Sequence, residues 1–218
     1  MIQNMFLAIL PTIVIVTYIL RFDRYNPEPP ALLIKLFIVG CFSVIPAVIL
    51  ENMVTPHYYD LYTLFVYCVV GIGLIEEGVK YVLTRWVAYR HDAFDEIYDG
   101  IIYCVMVSLG FATIENILYV WSYGTSTAIT RMLTAVPAHA IFAVSMGYYM
   151  GLSKAYPERN GIYTILSFVV PVLLHSVYDF ILFIDMPWIF VIFIVYLIYL
   201  YKRTFKLIHE TYNQYPFR

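Results

Sequence analysis

Long apolar runs alternate with short polar connections along the whole chain. Seven runs stand out, at about residues 3–20, 31–50, 61–84, 101–121, 128–151, 162–184 and 187–201. Roughly 20 apolar helical residues cross the hydrocarbon core of a bilayer. The first six runs are close to that length, and the seventh is short, which predicts a tilted or partly interfacial helix. Prolines punctuate the connections at Pro27, Pro29, Pro30, Pro56, Pro157 and Pro187. The first run has no basic residue before it and no small-residue cleavage site after it, the pattern of a retained helix rather than a signal peptide. No internal repeat interrupts this order. The expected fold is all-α, a polytopic transmembrane helix bundle of about seven spans, forming a single domain over residues 1–218.

Composition agrees. Apolar residues make up 62% of the chain and charged residues only 13%, whereas a soluble domain carries about 25% charge. A net charge of −2 gives no basic surface for nucleic acid. Cys41, Cys68 and Cys104 all lie in apolar runs without a C-x-x-C pair, so they read as small core residues.

The basic residues assign the sides. Ten of the thirteen lie after spans one, three and five or in the tail: Arg21, Arg24, Arg85, Arg90, Lys154, Arg159, Lys202, Arg203, Lys206 and Arg218. The connections after spans two, four and six hold none. By the positive-inside rule the N-terminus is outside and the C-terminus is cytoplasmic. Lys35, Lys80 and Arg131 fall within spans. The acid-rich connection at 90–100 reads as a solvated loop whose Asp95, Glu96 and Asp99 favour the start of span four, with a cation site as the alternative. The basic tail at 202–206 reads as a membrane-surface anchor.

Against this apolar background a few polar residues are conspicuous. Glu76 and Glu77 are adjacent within span three, where each buried acid costs roughly 2.5–3.5 kcal/mol. Lys80 lies one helical turn on, in reach of both. The group reads either as an internal ion pair or as a carboxylate held in low dielectric for proton transfer. Span four carries Glu115 and Asn116, span five His139, and span six His175 with Asp179 at i,i+4. That last spacing puts imidazole and carboxylate on one face, where the acid can fix the tautomer or share a metal. Gathered in a bundle, two histidines and a glutamate can hold zinc with an open position, and a further glutamate can act as base. Depth opposes the gathering. At ~1.5 Å per residue, straight helices leave Glu76 about 10 Å from the level of His175 and Glu115. Either the Gly71/Gly73 pair breaks span three or tilt closes the gap.

At these residues the chain resembles the PrsW family of membrane-embedded proteases. The matching pieces are Glu76-Glu77-x-x-Lys80, the stretch from Asp95 through Asp99 to Tyr103, the stretch from Ser108 through Glu115-Asn116 to Tyr119, then His139, and Leu174-His175 through Asp179-Phe180. The family is similar to the wider superfamily of CAAX-type prenyl endopeptidases. This chain differs from that superfamily's pattern in having Lys80 one residue earlier than the arginine, Glu115 in place of a histidine and Asp179 in place of an asparagine. The resemblance implies site-1 cleavage of a membrane-anchored anti-sigma factor during envelope stress in a bacterial cytoplasmic membrane.

The combined expectation is an intramembrane peptidase acting on a single-span membrane protein. Glu76 is the expected general base, supported by Glu77 and Lys80. His139, His175 and Glu115 are the expected ligands of zinc or another divalent metal, and Asp179 orients His175. In the metal-free alternative Glu76 alone activates water, and the two histidines donate to the oxyanion. A proton-coupled carrier and a non-catalytic membrane sensor or scaffold are the rival readings.

Overall fold

The computed structural model describes residues 2–23, 26–54, 59–184, 186 and 188–213, and among them every regular element is helical. Helix α1 spans Ile2–Leu20, α2 Pro30–Met53, α3 Leu61–Tyr67, α4 Leu74–Ala88 and α5 Ile97–Tyr123. Then come α6 at Thr125–Leu133, α7 at Ala135–Ala155, α8 at Asn160–Phe183 and α9 at Ile189–Asn213. A π-helical stretch, Cys68–Gly73, joins α3 to α4 without a break. Arg24, Pro56, Pro187 and Arg218, used above, lie outside the described residues.

All seven expected spans are helical, but five segments meet the length and apolarity needed to cross a membrane: Pro30–Met53, Leu61–Ala88, Ile97–Tyr123, Thr125–Ala155 and Pro157–Phe183. The apolar part of α1, Met5–Leu20, is shorter. Helix α9 runs beyond its apolar residues through the basic tail. The expected fifth span is two helices. Gly124 ends α5 at φ +83°, and Thr134 separates α6 from α7 at φ −120° and ψ −67°. Pro137 sits in the first turn of α7, where a missing N–H is tolerated.

Helix α5 is the axis of the bundle. Every residue from 97 to 113 is buried, because its sequence is apolar on all faces and α1, α2, α4 and α7 surround it. Small residues set how closely the neighbours approach. A Cβ on Gly147 would fall 2.2 Å from the Gly100 carbonyl oxygen, and one on Gly40 would fall 2.0 Å from that of Val107. Backbone cannot yield as a side chain can. Gly147→Val is therefore expected to destabilise the bundle by about 1–3 kcal/mol through overpacking. Gly161→Ala, where nothing lies within 4 Å, is the control. Equal thermal stability of the two purified variants would contradict this packing.

Hydrogen bonds pin the two faces. On one, Tyr98 Oη donates to the Ile19 carbonyl at 2.9 Å, and Asn160 Nδ2 donates to Tyr89 Oη at 2.9 Å. Arg21, Arg85, Arg90, Lys154 and Arg159 belong to this face. Asp99 turns inward from the acid-rich connection, accepting the Glu96 N–H at 2.6 Å and the Asp95 N–H at 2.9 Å. It gathers with Asp23 and Glu28, and Tyr103 Oη donates to Glu28 Oε2. Burial pushes the Asp23 carboxyl up to about 7 and raises that of Glu28. Toward the opposite face, Asn116 Nδ2 donates to the Ala8 carbonyl at 2.9 Å. Among the described residues the only basic side chain at that end is Arg131.

Candidate active site

Lys80 is the hub of the site. Its Nζ donates to Glu76 Oε2 at 3.0 Å, to Glu77 Oε1 at 2.8 Å and to His139 Nδ1 at 3.2 Å, and it lies 4.0 Å from the centre of the Phe111 ring. An ammonium offers only donors, so His139 Nδ1 accepts and its proton is on Nε2. That Nε2–H donates to Glu115 Oε2 at 2.9 Å. His175 faces carboxylates on both sides, with Nδ1 3.0 Å from Glu77 Oε1 and Nε2 3.3 Å from Asp179 Oδ2. Carboxylates accept, so this is the arrangement of an imidazolium donating from both nitrogens. Phe142 stacks on the His175 ring at 4.9 Å, and the two histidine rings meet edge to face at 5.3 Å.

All seven residues singled out by sequence thus fall into one connected group drawn from α4, α5, α7 and α8. Glu77 and Lys80 are sealed, at 0% and 1% exposure, while Glu76 keeps 6%. Buried charges on this scale persist only when paired and hydrogen-bonded, and here each has a partner on another helix or one turn away.

Glu77 and His175 meet despite the depth gap expected of straight helices, one turn beyond the point where α3 passes into α4. A π-helical turn holds an extra residue, and Cys68–Gly73 is such a stretch. Gly73 then lets α8 approach its backbone, since a Cβ there would fall 2.4 Å from Ser176 Oγ and 3.0 Å from the Val172 carbonyl oxygen. With the helices this close, Glu77 reaches His175.

Two participants escaped the sequence reading. Arg131 on α6 pairs with Glu115, Nη2 to Oε2 at 2.9 Å, and its Nε donates to Asn116 Oδ1 at 3.0 Å. Its guanidinium lies 4.0 Å from the Tyr119 ring centre. The available signal was that Arg131 is a basic residue left over within a span while Glu115 is an acid without a basic neighbour in its own helix. Glu51, near the end of α2, lies within electrostatic reach of Glu76, Glu115, Lys80 and His175. At a span's end it reads as an ordinary solvated acid.

The donors suit a divalent metal. Glu76, Glu77, His139 and His175 each offer a ligand atom, all within 4.8 Å of one another. Two carboxylates and two imidazoles are a zinc-compatible set. Glu77 Oε2 is buried with no protein hydrogen-bond donor among the described residues, an acceptor left for something else. Lys80 Nζ marks where three of the four groups converge on positive charge. Glu115 stands outside this set, one hydrogen bond behind His139, and Asp179 lies similarly behind His175.

Comparison with known proteins fits this picture. Residues 28–202 match a family described as PrsW family intramembrane metalloprotease. The chain is 39% identical over 204 residues to a protein named Protease PrsW from Clostridioides difficile (strain 630), covering 90% of this chain and 86% of that one. It is 36% identical over 184 residues to Protease PrsW of Bacillus subtilis (strain 168), covering 84% of each. It is also 36% identical over 187 residues to Protease PrsW of Geobacillus kaustophilus (strain HTA426), covering 83% and 80% respectively. No solved structure matches. A helical bundle with apolar spans and a buried acid–histidine–lysine site, together with these matches, defines a membrane-embedded protease. The chain belongs to the PrsW family, and it is a multi-pass bacterial membrane protein. The carrier and sensor readings fall away.

Proposed function

We propose that this chain hydrolyses a peptide bond in a single-span membrane protein, as the site-1 protease of an anti-sigma factor in an envelope-stress response, with Glu76 activating the water. The observation that carries the reading is the meeting of Glu76, Glu77 and Lys80 with His139 and His175 from two other helices. Glu76 is the less enclosed of the paired acids, held by Lys80 on one oxygen. It takes a proton from water as the water oxygen bonds to the scissile carbonyl carbon. Lys80 and His175, both donors, oppose the negative charge that forms on the carbonyl oxygen. Collapse of that adduct breaks the C–N bond, and the proton taken by Glu76 passes to the departing amine, restoring the carboxylate. Glu77 holds Lys80 and His175 in place. Asp179 fixes the far side of His175, and Glu115, held by Arg131, fixes the tautomer of His139.

The donor set supports a divalent metal, zinc being the candidate. His139, released from Lys80 at Nδ1, His175, after loss of a ring proton, and a carboxylate would hold it, Glu77 being the better placed and Glu115 supporting His139 from behind. When bound it supplies Lewis-acid polarisation of a carbonyl and a lower pKa for water.

The basic face is proposed as cytoplasmic, which sets the polar site in the outer part of the membrane. Impermeant thiol reagent applied from outside should then label Ser126→Cys and not Arg90→Cys, in a background lacking Cys41, Cys68 and Cys104. The reverse result would invert the orientation. Cleavage of a single-span substrate by purified protein should yield new termini near the outer end of the substrate's span, mapped by mass spectrometry. Termini on the cytoplasmic side are incompatible with the proposal.

A further inference from the structure

A second concave surface lies away from the catalytic group, on the face where α4 ends. A depression of about 880 Å³ is lined by Tyr81, Arg85, Trp86, Tyr89, Arg90 and Lys154. None of its three cations makes an ion pair with a described residue. Arg85 Nη1 donates to Tyr81 Oη at 3.3 Å, and its guanidinium packs 4.2 Å from the Tyr89 ring centre. Lys154 Nζ lies 4.6 Å from the Phe94 ring centre and donates to the His91 carbonyl at 3.3 Å. The pocket wall is firm, since Tyr89 Oη is also tied to Ser153 Oγ at 3.1 Å and to Asn160. Trp86, 80% exposed, lies where tryptophans sit at the boundary of lipid and water. Asp99, Asp92 and Asp95 act electrostatically on Lys154, yet none of the three lines the depression.

The depression opens onto a second, almost wholly apolar groove. That groove is lined by Pro46 and Leu50 of α2, by Leu74, Gly78 and Val82 of α4, and by Phe168 of α8. Tyr81 and Val82 belong to both concavities, so they form one channel along α4. From Leu74 to Leu83 it runs about 14 Å at 1.5 Å per residue. Gly78 keeps it open, its nearest cross-helix neighbour being the Phe168 ring, 3.6 Å from where a Cβ would sit. An anionic head at the cations and an apolar tail along the helix is the shape of a phospholipid. Basic pockets at this level of a membrane protein select anionic headgroups.

We infer that this channel is a binding site for an anionic phospholipid, its phosphate held by Arg85, Arg90 and Lys154 and one acyl chain lying in the groove between α2 and α4. The inference does not depend on the proteolytic mechanism, and its test reads binding alone. Trp121→Phe/Trp188→Phe leaves Trp86 as the sole tryptophan of the full-length protein. Reconstituted in phosphatidylcholine nanodiscs, this protein should have its fluorescence quenched by brominated phosphatidylglycerol at a much lower mole fraction than by brominated phosphatidylcholine. Replacing Arg85, Arg90 and Lys154 by Gln should lower that preference about fivefold for each cation removed, ~1 kcal/mol each. Gly78→Leu, which fills the groove and leaves all three charges, should lower it too. Lys202→Gln/Arg203→Gln/Lys206→Gln removes as many charges from the tail and should leave the preference unchanged. Equal quenching by the two lipids overturns the site, as does a tail variant that loses as much preference as the pocket variant.

Discussion

Glu76→Gln is expected to abolish peptide-bond hydrolysis while the protein still accumulates in the membrane. The substitution preserves side-chain shape, and the amide oxygen can still accept from Lys80, which donates to Glu76 Oε2 at 3.0 Å. What disappears is the capacity to take a proton. General-base catalysis contributes about 10²–10⁴-fold, so kcat against a single-span substrate should fall by at least that lower figure. Glu77→Gln is the instructive partner. Glu77 Oε1 accepts from both Lys80 and His175 in a fully enclosed place, and removing its charge leaves two buried cationic groups short of a counter-ion. Loss of one partner from such a pair costs about 3–5 kcal/mol, so Glu77→Gln should reduce the amount of folded protein as well as its activity. A fully active Glu76→Gln enzyme would end the general-base assignment. Poor accumulation of both variants would instead make the pair a structural ion pair.

Metal removal is the second large effect. A strong chelator should inactivate the purified protein, zinc should restore it, and His139→Ala and His175→Ala should each lose bound metal along with activity. The geometry gives the reason. The Nδ1 lone pair of His139 points into the cluster because Glu115 holds the proton on Nε2. Glu77 Oε2 is an enclosed acceptor with no protein donor among the described residues. Loss of a Lewis acid removes several kcal/mol of transition-state stabilisation, roughly 10³-fold or more in rate. Metal content by mass spectrometry, read beside activity, separates the two proposed mechanisms. A fully active enzyme without detectable metal would decide for Glu76 with Lys80 and His175 alone.

Much of this site is legible in residue order because buried charge is costly. An acid, lysine or histidine inside an apolar run must find a partner, and Glu76, Glu77, Lys80, Glu115, His139, His175 and Asp179 find one another. Helix positions were legible for the same reason, from the lengths of the runs. The means of convergence was not. A π-helical turn has no residue signature as a capped helix end does, so the stretch Cys68–Gly73 reads as ordinary helix until its backbone is seen. The break at Thr134 was hidden because α6 is short and α7 resumes with small apolar residues. Arg131 was visible as a stray cation within a run, but only the fold of α6 against α5 brings it to Glu115 and Asn116. Asp99 looked like a loop acid beside Asp95 and Glu96, and only the fold of the chain between α1 and α2 brings Asp23 and Glu28 beside it.

The continuous helix from Leu61 to Ala88 also behaves as a screw whose pitch is altered once along its length. Each residue added to or removed from an α-helix rotates everything beyond it by about 100°. The wide turn takes up one residue beyond the α-helical count, so Glu76, Glu77 and Lys80 keep the angular phase of an uninterrupted helix. Trimming one residue from Cys68–Gly73 would relax that turn to ordinary α-helix and leave the acids facing His175. Trimming a second would swing them about 100° around the helix axis, away from His175. In this part of the molecule the residue count is as much a determinant of the chemistry as the identity of the acids.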